Sequence, residues 1–165
     1  MKNATMRIIK ITLPKGNCVY NSNEKKPVLF ICGSTGFAQM KSMLEEAFSK
    51  KVNQPLYLYW GAQIAADLYM HELPEMWEQQ YQNFKYVPVI SNPTDQAPGN
   101  KAEPWTGRKG FVHHAVMEDF GTLKDIQVYV SGSPGMVYAI YDDFIKHGLN
   151  KGCMSADVFD YAPRE

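Results

Sequence analysis

The 165-residue sequence has no excess charge of either sign, because 17 Lys and Arg residues balance 17 Asp and Glu residues. A chain with zero formal net charge exerts no long-range attraction on nucleic acid or an anionic membrane, so we expect neither as a partner. The sequence is also poor in cysteine, and Cys18, Cys32 and Cys153 form no close pair, which excludes a CxxC metal site and a disulfide framework. This cysteine usage predicts a reducing, cytoplasmic location.

Long hydrophobic runs are absent as well. The apolar run at residues 28–32 is far too short to span a membrane, and residues 1–24 lack the basic-then-apolar order of a signal peptide. We therefore expect no membrane insertion. What the sequence does have is an ordinary globular composition, 45% hydrophobic and 21% charged, in a length typical of one domain.

Apolar strand-like runs alternate with amphipathic segments along the chain. The runs predict strands over residues 28–32, 56–60, 84–90 and 126–130, and a last short strand over 157–161. The amphipathic segments predict helices over residues 37–49, 65–71, 74–81, 111–120 and 136–147. Pro88 favours an edge position for the strand at 84–90, and the proline-rich residues 91–109 are predicted to form a long loop. Together these elements predict an α/β fold, a three-layer α-β-α sandwich with a five-stranded, mostly parallel sheet.

The loops that follow the strands are the expected ligand site, because parallel sheets bind ligands at the carboxyl ends of their strands. The first loop, residues 33–36, joins a buried strand directly to a helix and contains two glycines. Its backbone N–H groups and the helix dipole suit a pyrophosphate. A tight turn that merely requires left-handed glycine angles explains the same residues equally well, and both explanations stay open at this point.

A second small-residue loop, residues 131–136, also lies between a strand and a helix, with Pro134 suited to the first helical turn. Two such loops after parallel strands favour a grip on one extended ligand. The third loop starts at Gly61, where a ribose or adenine can lie close to the strand end. Trp60 in the preceding strand is expected to pack in the sheet.

Residues for metal binding or nucleophilic catalysis are not evident. His113 and His114 are adjacent, and side chains about 100° apart on a helix are not expected to share a metal ion. Ser131 and Ser133 lie outside any GxSxG motif. We therefore expect no metal site and a reaction whose chemistry belongs to a cofactor.

Six motifs occur in an order that resembles the pyridine-nucleotide-binding domain of the ferredoxin-NADP reductase family, in particular its NAD(P)H-flavin reductase and oxygenase-reductase members. The likeness runs from about residue 8 to residue 159. The motifs are PVLFICGSTGFA at 27–38, LYWGA with DLY at 58–69, YVPVI at 86–90, WTGRKG at 105–110, VYVSGSPGM at 128–136 and DVF at 157–159.

The resemblance implies NAD(P)H binding and hydride transfer to a flavin, with the protein positioning and shielding the two cofactors. It implies a role beside the reacting rings for Thr35, Ser131, Asp157 and Phe159. It implies cofactor binding by Gly33, Ser34, Thr35, Gly36, Gly61, Ala62, Gln63, Ser91, Asn92, Arg108, Gly132, Ser133, Pro134 and Met136.

The sequence departs from the family pattern at three places. Ser131 stands where cysteine is usual, and Gln63 stands where many relatives have arginine. Ser91 and Asn92 lack the Ser-Arg pair that would bind a 2′-phosphate, which favours NADH over NADPH, although Arg108 or Lys109 can substitute for that arginine.

Family members carry a flavin-binding β-barrel before this domain. Residues 1–24 are therefore predicted to be a terminal strand and linker stub of a missing FAD-binding barrel, and residues 25–165 the NAD(P)H-binding domain. FAD or FMN is expected only through the missing domain or a partner subunit, and a flavoprotein or iron-sulfur protein is the expected electron acceptor. The alternative is a nucleotide-binding or regulatory module without redox activity of its own.

Overall fold

A computed structural model describes residues 16–92 and 105–164. The described residues form one sheet in which every pairing is parallel, with the strand order β4-β3-β2-β1-β5-β6. The strands are β1 Val28–Gly33, β2 Leu56–Ala62, β3 Phe84–Ile90, β4 Arg108–Lys109, β5 Gln127–Ser131 and β6 Met154–Ser155. The helices are α1 Phe37–Ser49, α2 Glu72–Gln80, α3 Val112–Asp119, α4 Pro134–Lys146 and α5 Val158–Tyr161.

Two hydrophobic cores lie on opposite faces of the sheet. Because successive strand residues point to opposite faces, Phe30 of β1 joins the core under α1 and α2, whereas its neighbour Ile31 joins the core under α3 and α4. All residues of β1 except Gly33 are fully buried, as expected for a central strand of a parallel sheet. The predicted three-layer sandwich is thus confirmed.

The sheet has six strands, so the predicted number of five is wrong. β4 and β6 contain two residues each, which is too short to produce a hydrophobic pattern in the sequence. The strand predicted over residues 157–161 is also wrong, because β6 precedes that segment and α5 occupies it. The strand predicted within residues 1–24 covers residues 7–13, which lie outside the described residues.

Local differences from the predicted elements have simple causes. The helix predicted over residues 65–71 is only a 3₁₀ turn, Ala65–Asp67, closed by the Asp67 carboxylate, which accepts from the N–H of Ile64 at 3.4 Å. In the described part of the chain, β3 has an outer neighbour only at Val89 and Ile90, so Pro88 lies where the missing N–H breaks no pairing.

The strand order reverses between β1 and β5. From β1 the chain proceeds outward to β2 and β3 in one direction, and β5 and β6 extend the sheet in the other. The loops that follow β1 and β5 therefore diverge to opposite faces, as Phe37 of α1 and Val137 of α4 show by belonging to different cores. Such a switch point opens a crevice at the carboxyl ends of the strands, which is where the ligand site was expected.

In the described residues, none of the helices has the length and apolar character that crossing a membrane requires.

Candidate functional site

A cleft of about 600 Å³ opens at the carboxyl ends of β1, β2 and β3, a size within the range of cofactor sites. The loops after β1, β2 and β5 and the first turn of α3 form its walls. The lining residues are Gly33, Ser34, Gly61, Ala62, Gln63, Ser91, Gly110, Phe111, Val112, His113, His114, Ser133, Gly135, Met136 and Ala139.

The loop after β1 is a 3₁₀ turn, Ser34–Gly36, that runs directly into α1. Its left-handed residue is Ser34, with φ 44°, and not a glycine. Gly33 has φ −110° and Gly36 has φ −60°, angles that any residue adopts. The interpretation that this loop needs left-handed glycines is therefore wrong. The strained backbone lies at Ser34, whose carbonyl accepts a hydrogen bond from the Trp60 indole at 3.0 Å.

Gly36 is required by packing. A Cβ atom at this position would overlap the backbone carbonyl of Ser131, at the end of β5. The two loops of the switch point therefore touch through Gly36 and Ser131, and this contact fixes the separation of the N-termini of α1 and α4.

The loop after β5 starts α4 as its sequence predicts. Ser133 is the N-cap, its hydroxyl accepts from the N–H of Met136 at 3.4 Å, and Pro134 occupies the first turn. The N-terminus of α4 thus opens at the cleft, and its positive dipole end favours an anion there.

The third wall is the start of α3, which sequence reasoning missed. Phe111 precedes the helix without a side-chain cap, and its ring is 61% exposed. The ring contacts those of His113 and His114, with centroid distances of 5.9 Å and 5.7 Å. The sequence feature that could have indicated this wall is Gly110. Its φ of 108° favours glycine and turns the chain into α3.

Eight of the predicted cofactor-binding residues line the cleft, namely Gly33, Ser34, Gly61, Ala62, Gln63, Ser91, Ser133 and Met136. The other predicted residues are not among those that line it: Thr35, Gly36, Asn92, Arg108, Ser131, Gly132, Pro134, Asp157 and Phe159. The residues that sequence reasoning missed are Gly110, Phe111, Val112, His113, His114, Gly135 and Ala139.

Arg108 has partners on α3. Its guanidinium donates to the carbonyl of Ala115 at 2.8 Å and to the carboxylate of Asp119, which also accepts from the Tyr59 hydroxyl. Burial and the bonded carboxylate raise the pKa of Tyr59, so its hydroxyl stays a donor. These contacts anchor β4 to α3. Trp60 is fully buried and stacks on Phe37 at 4.0 Å, which confirms the prediction that it packs in the sheet.

Asp157 and Phe159 both hold the C-terminal segment in place. The Asp157 carboxylate accepts from the Gln39 amide on α1 at 2.7 Å and from the Cys18 N–H at 3.3 Å. Burial first, and then the neighbouring Asp157, raise the pKa of the Cys18 thiol to about 12. The Phe159 ring packs against α4 through Tyr138 and Tyr141, at 5.8 Å and 5.7 Å.

His113 and His114 approach each other closely, with ring centroids 4.3 Å apart, and Asp143 of α4 faces them. One potential ligand atom of each of these three residues lies within 4.8 Å of the other two. The expectation that adjacent histidines do not share a ligand stays a prediction, although rotation about χ1 and χ2 moves an imidazole nitrogen far more than the helical offset of its Cα implies and so allows the ligand atoms to lie this close.

A pH titration of the imidazole resonances is expected to give His113 a midpoint below the ordinary value of about 6.5. Burial is the main cause of the lowered pKa, the neighbouring His114 adds to it, and Asp143 opposes it. Because the unfolded chain binds this proton more tightly, the contribution of His113 to stability falls as pH drops from about 6.5 through the lowered pKa. His114→Gln should move the His113 midpoint upward. A wild-type midpoint at or above 6.5 would contradict the described burial.

Comparison with known proteins identifies the family. The model of the oxidoreductase NAD-binding domain matches residues 30–142. Protein RfbI of Salmonella typhimurium is 40% identical over 152 residues, which is 92% of this chain and 43% of that protein. The CDP-6-deoxy-L-threo-D-glycero-4-hexulose-3-dehydrase reductase of Yersinia pestis is 34% identical over 153 residues, 93% of this chain and 44% of that protein.

A flavin reductase is similar as well. The NAD(P)H-flavin reductase of Aliivibrio fischeri is 32% identical over 136 residues, 82% of this chain and 54% of that protein. Among solved structures, the Amycolatopsis cytochrome P450 reductase GcoB has the same fold, with a TM-score of 0.75 and 24% identity over 87% of this chain and 41% of that one. The chain thus spans about half the length, or less, of these relatives. The chain belongs to the oxidoreductase NAD-binding domain family.

Proposed function

We propose that residues 25–165 bind NADH in the cleft at the β1–β5 switch point and present its nicotinamide to a flavin held by another domain or by a partner chain. The observation that carries this proposal is the convergence of the loops after β1 and β5 on one cleft of about 600 Å³. A regulatory module without redox activity is not favoured, because two of the relatives named above, from Yersinia pestis and Aliivibrio fischeri, are reductases.

The cleft fits a pyrophosphate. At Gly33 and Gly132 a Cβ atom would meet the Met136 sulfur at 2.6 Å and 2.7 Å, so the space beside both glycines is filled by the far end of one flexible side chain. Rotation of the Met136 thioether leaves a hollow walled by glycine backbone. Close approach of phosphate oxygens to backbone N–H groups requires such a hollow.

The charge of the cleft favours NADH over NADPH. None of the lining residues in the described part of the chain is Lys or Arg. The pyrophosphate is therefore expected to bind to backbone N–H groups and the N-termini of α1 and α4. A 2′-phosphate would bring close to two further negative charges to Gln63 and Ser91, which offer only neutral hydrogen bonds. Arg108 is paired with Asp119 and makes a poor substitute.

When bound, NADH supplies a hydride from its nicotinamide. Thr35 and Ser131 do not line the cleft itself, but we propose that they flank that ring at its edge, because the turn that contains Thr35 meets the end of β5 where Gly36 contacts Ser131. Asp157 is proposed to act as a positioning residue, because its carboxylate joins α1 to the segment before β1. The packing of Phe159 on α4 supports a similar role for this residue near the flavin side.

We keep as a proposal that the NAD(P)H-binding domain begins at residue 25. Tyr20 is 5% exposed and packs against Phe30 and Tyr129, so the described residues before 25 lie against the domain. We further propose a flavoprotein or iron-sulfur protein as electron acceptor, and a cytoplasmic location, which the three free cysteines support.

Calorimetric titration tests the proposal. The ligands are NADH, its two halves AMP and nicotinamide mononucleotide, and ADP-ribose. We expect one NADH per chain and competition by ADP-ribose, since ADP-ribose contains the same adenosine and pyrophosphate and lacks only the nicotinamide. AMP and nicotinamide mononucleotide should each bind weakly and without excluding one another. Absence of NADH binding, or displacement of one half by the other, would contradict the proposed extended pose.

Gln63→Arg is expected to shift cofactor choice toward NADPH by about tenfold or more, because a charged hydrogen bond to a phosphate contributes about 1.5–3 kcal/mol. Gln63 lines the cleft at the end of β2, where an arginine can reach the adenosine ribose. The dissociation constants of NADH and NADPH are compared in wild type, Gln63→Arg and the uncharged control Gln63→Met. A wild-type protein that prefers NADPH tenfold would show that the neutral site is wrongly described.

A further inference from the structure

We propose that His113, His114 and Asp143 form a binding site for a divalent transition-metal ion of the zinc type at the wall of the cleft. The three residues come from two helices that pack together, α3 and α4. The inference does not depend on the proposed nucleotide, because all three ligands belong to the chain itself.

The distances are close to those of a metal centre. Bonds of about 2.1 Å in a tetrahedral zinc site separate neighbouring ligand atoms by about 3.4 Å. His113 Nε2 and Asp143 Oδ2 lie 3.5 Å apart, so this edge of the site is already formed. The nitrogen of His114 lies within 4.8 Å of both, and this exposed side chain has to move inward by roughly 1 Å.

The residue types select the metal. Two imidazoles and one carboxylate suit zinc, nickel, copper and cobalt, whereas magnesium and calcium prefer oxygen ligands alone. Three protein ligands leave at least one coordination position for water or another small ligand. His113 and His114 also line the cleft, so a bound ion would lie at its wall.

The site is partly prepared for a cation. The His113 side chain is 11% exposed, which limits the rotameric freedom that binding removes. Lys146 donates to the other carboxylate oxygen, Asp143 Oδ1, at 3.0 Å. This lysine is 75% exposed and can withdraw into solvent, so the competing cation is mobile.

Two measurements on the full chain test the proposal. Calorimetry measures Zn²⁺ binding, and visible absorption spectroscopy measures the coordination of bound Co²⁺. We expect one Zn²⁺ per chain and a Co²⁺ spectrum with ligand-field bands of a four- or five-coordinate site. His114→Gln and Asp143→Asn should each weaken Zn²⁺ binding by at least about tenfold. Both side chains are at least partly exposed, and circular dichroism checks that the variants fold.

The matched control is Asp142→Asn, which removes a carboxylate on the next residue of α4, where Asp142 pairs with Arg164. Zn²⁺ affinity in this variant should stay within about twofold of wild type, because an exposed charge outside the ligand set acts only through a screened field. The proposal is overturned if the wild-type chain binds no Zn²⁺ up to millimolar concentration. It is equally overturned if His114→Gln and Asp143→Asn bind Zn²⁺ as wild type does, which would assign the ion to other residues such as the cysteines.

Discussion

Replacing Gly36 with alanine is expected to lower the free energy of unfolding by about 2 kcal/mol, the usual size of an overpacking defect. The new Cβ atom would overlap the carbonyl of Ser131, a backbone group that cannot move aside by changing rotamer. β1 and β5 are paired along their whole length below this point, so neither loop can retreat without disturbing the centre of the sheet. The defect therefore arises at the contact that sets the width of the switch point.

The matched control is Gly135→Ala, four residues after Ser131, the residue that Gly36 contacts. A Cβ at Gly135 meets no atom within 4 Å, and the residue lies in the first turn of α4. Alanine is a better helix former than glycine, so this variant should be neutral or more stable by up to about 1 kcal/mol. Urea unfolding of the two variants and wild type measures both effects. Equal stability of Gly36→Ala and wild type would mean that the two loops lie farther apart than described.

Ala139→Trp is expected to weaken NADH binding by at least about thirtyfold, or about 2 kcal/mol. Ala139 lies on the first turns of α4 with its side chain exposed, and it lines the cleft. An indole at this position would project into the cleft of about 600 Å³ and obstruct the ligand. Because the side chain is exposed, the substitution should leave the cores and the stability nearly unchanged.

Ser42→Trp provides the size-matched control. Ser42 is an exposed residue of α1 outside the set that lines the cleft, so the same indole there should leave the NADH dissociation constant within about twofold of wild type. Calorimetry of the three proteins gives the comparison. If Ala139→Trp bound NADH as tightly as Ser42→Trp does, the nucleotide would have to lie elsewhere.

The long elements of this fold were predictable from sequence because they carry strong patterns. β1, β2, β3 and β5 have five to seven residues each and continuous or alternating apolar side chains. β4 and β6 were not predictable, since two residues contain no period and pair only because neighbouring strands offer free edges. The strand prediction at 157–161 was wrong because Val158 and Phe159 are residue types that favour strands, whereas packing against α4 holds the segment as a short helix.

The part of the site that lies in the loops directly after the strands was predictable from sequence. The loops after β1 and β5 were identified as ligand-binding segments, and Gly33, Ser34, Ser133 and Met136 do line the cleft. The wall formed by the start of α3 was not identified. Its position depends on the path of the chain after β4, and β4 is too short to be recognised in the sequence. The role of Gly36 was misjudged for a related reason: its neighbour Ser131 lies 95 residues away along the chain, and only the structure brings the two together.

The most direct test of the central claim is a titration of the ¹⁵N-labelled chain with NADH, followed by amide chemical shifts. We expect the largest shifts at Ser34, Gln63, His113 and the residues that open α4, since these line the cleft. Residues 51–53 and 80–83, which line a second hollow remote from the loops after β1 and β5, should be unaffected. Shifts confined to those residues, or no shifts at millimolar NADH, would contradict the assignment of the nucleotide to the β1–β5 switch point.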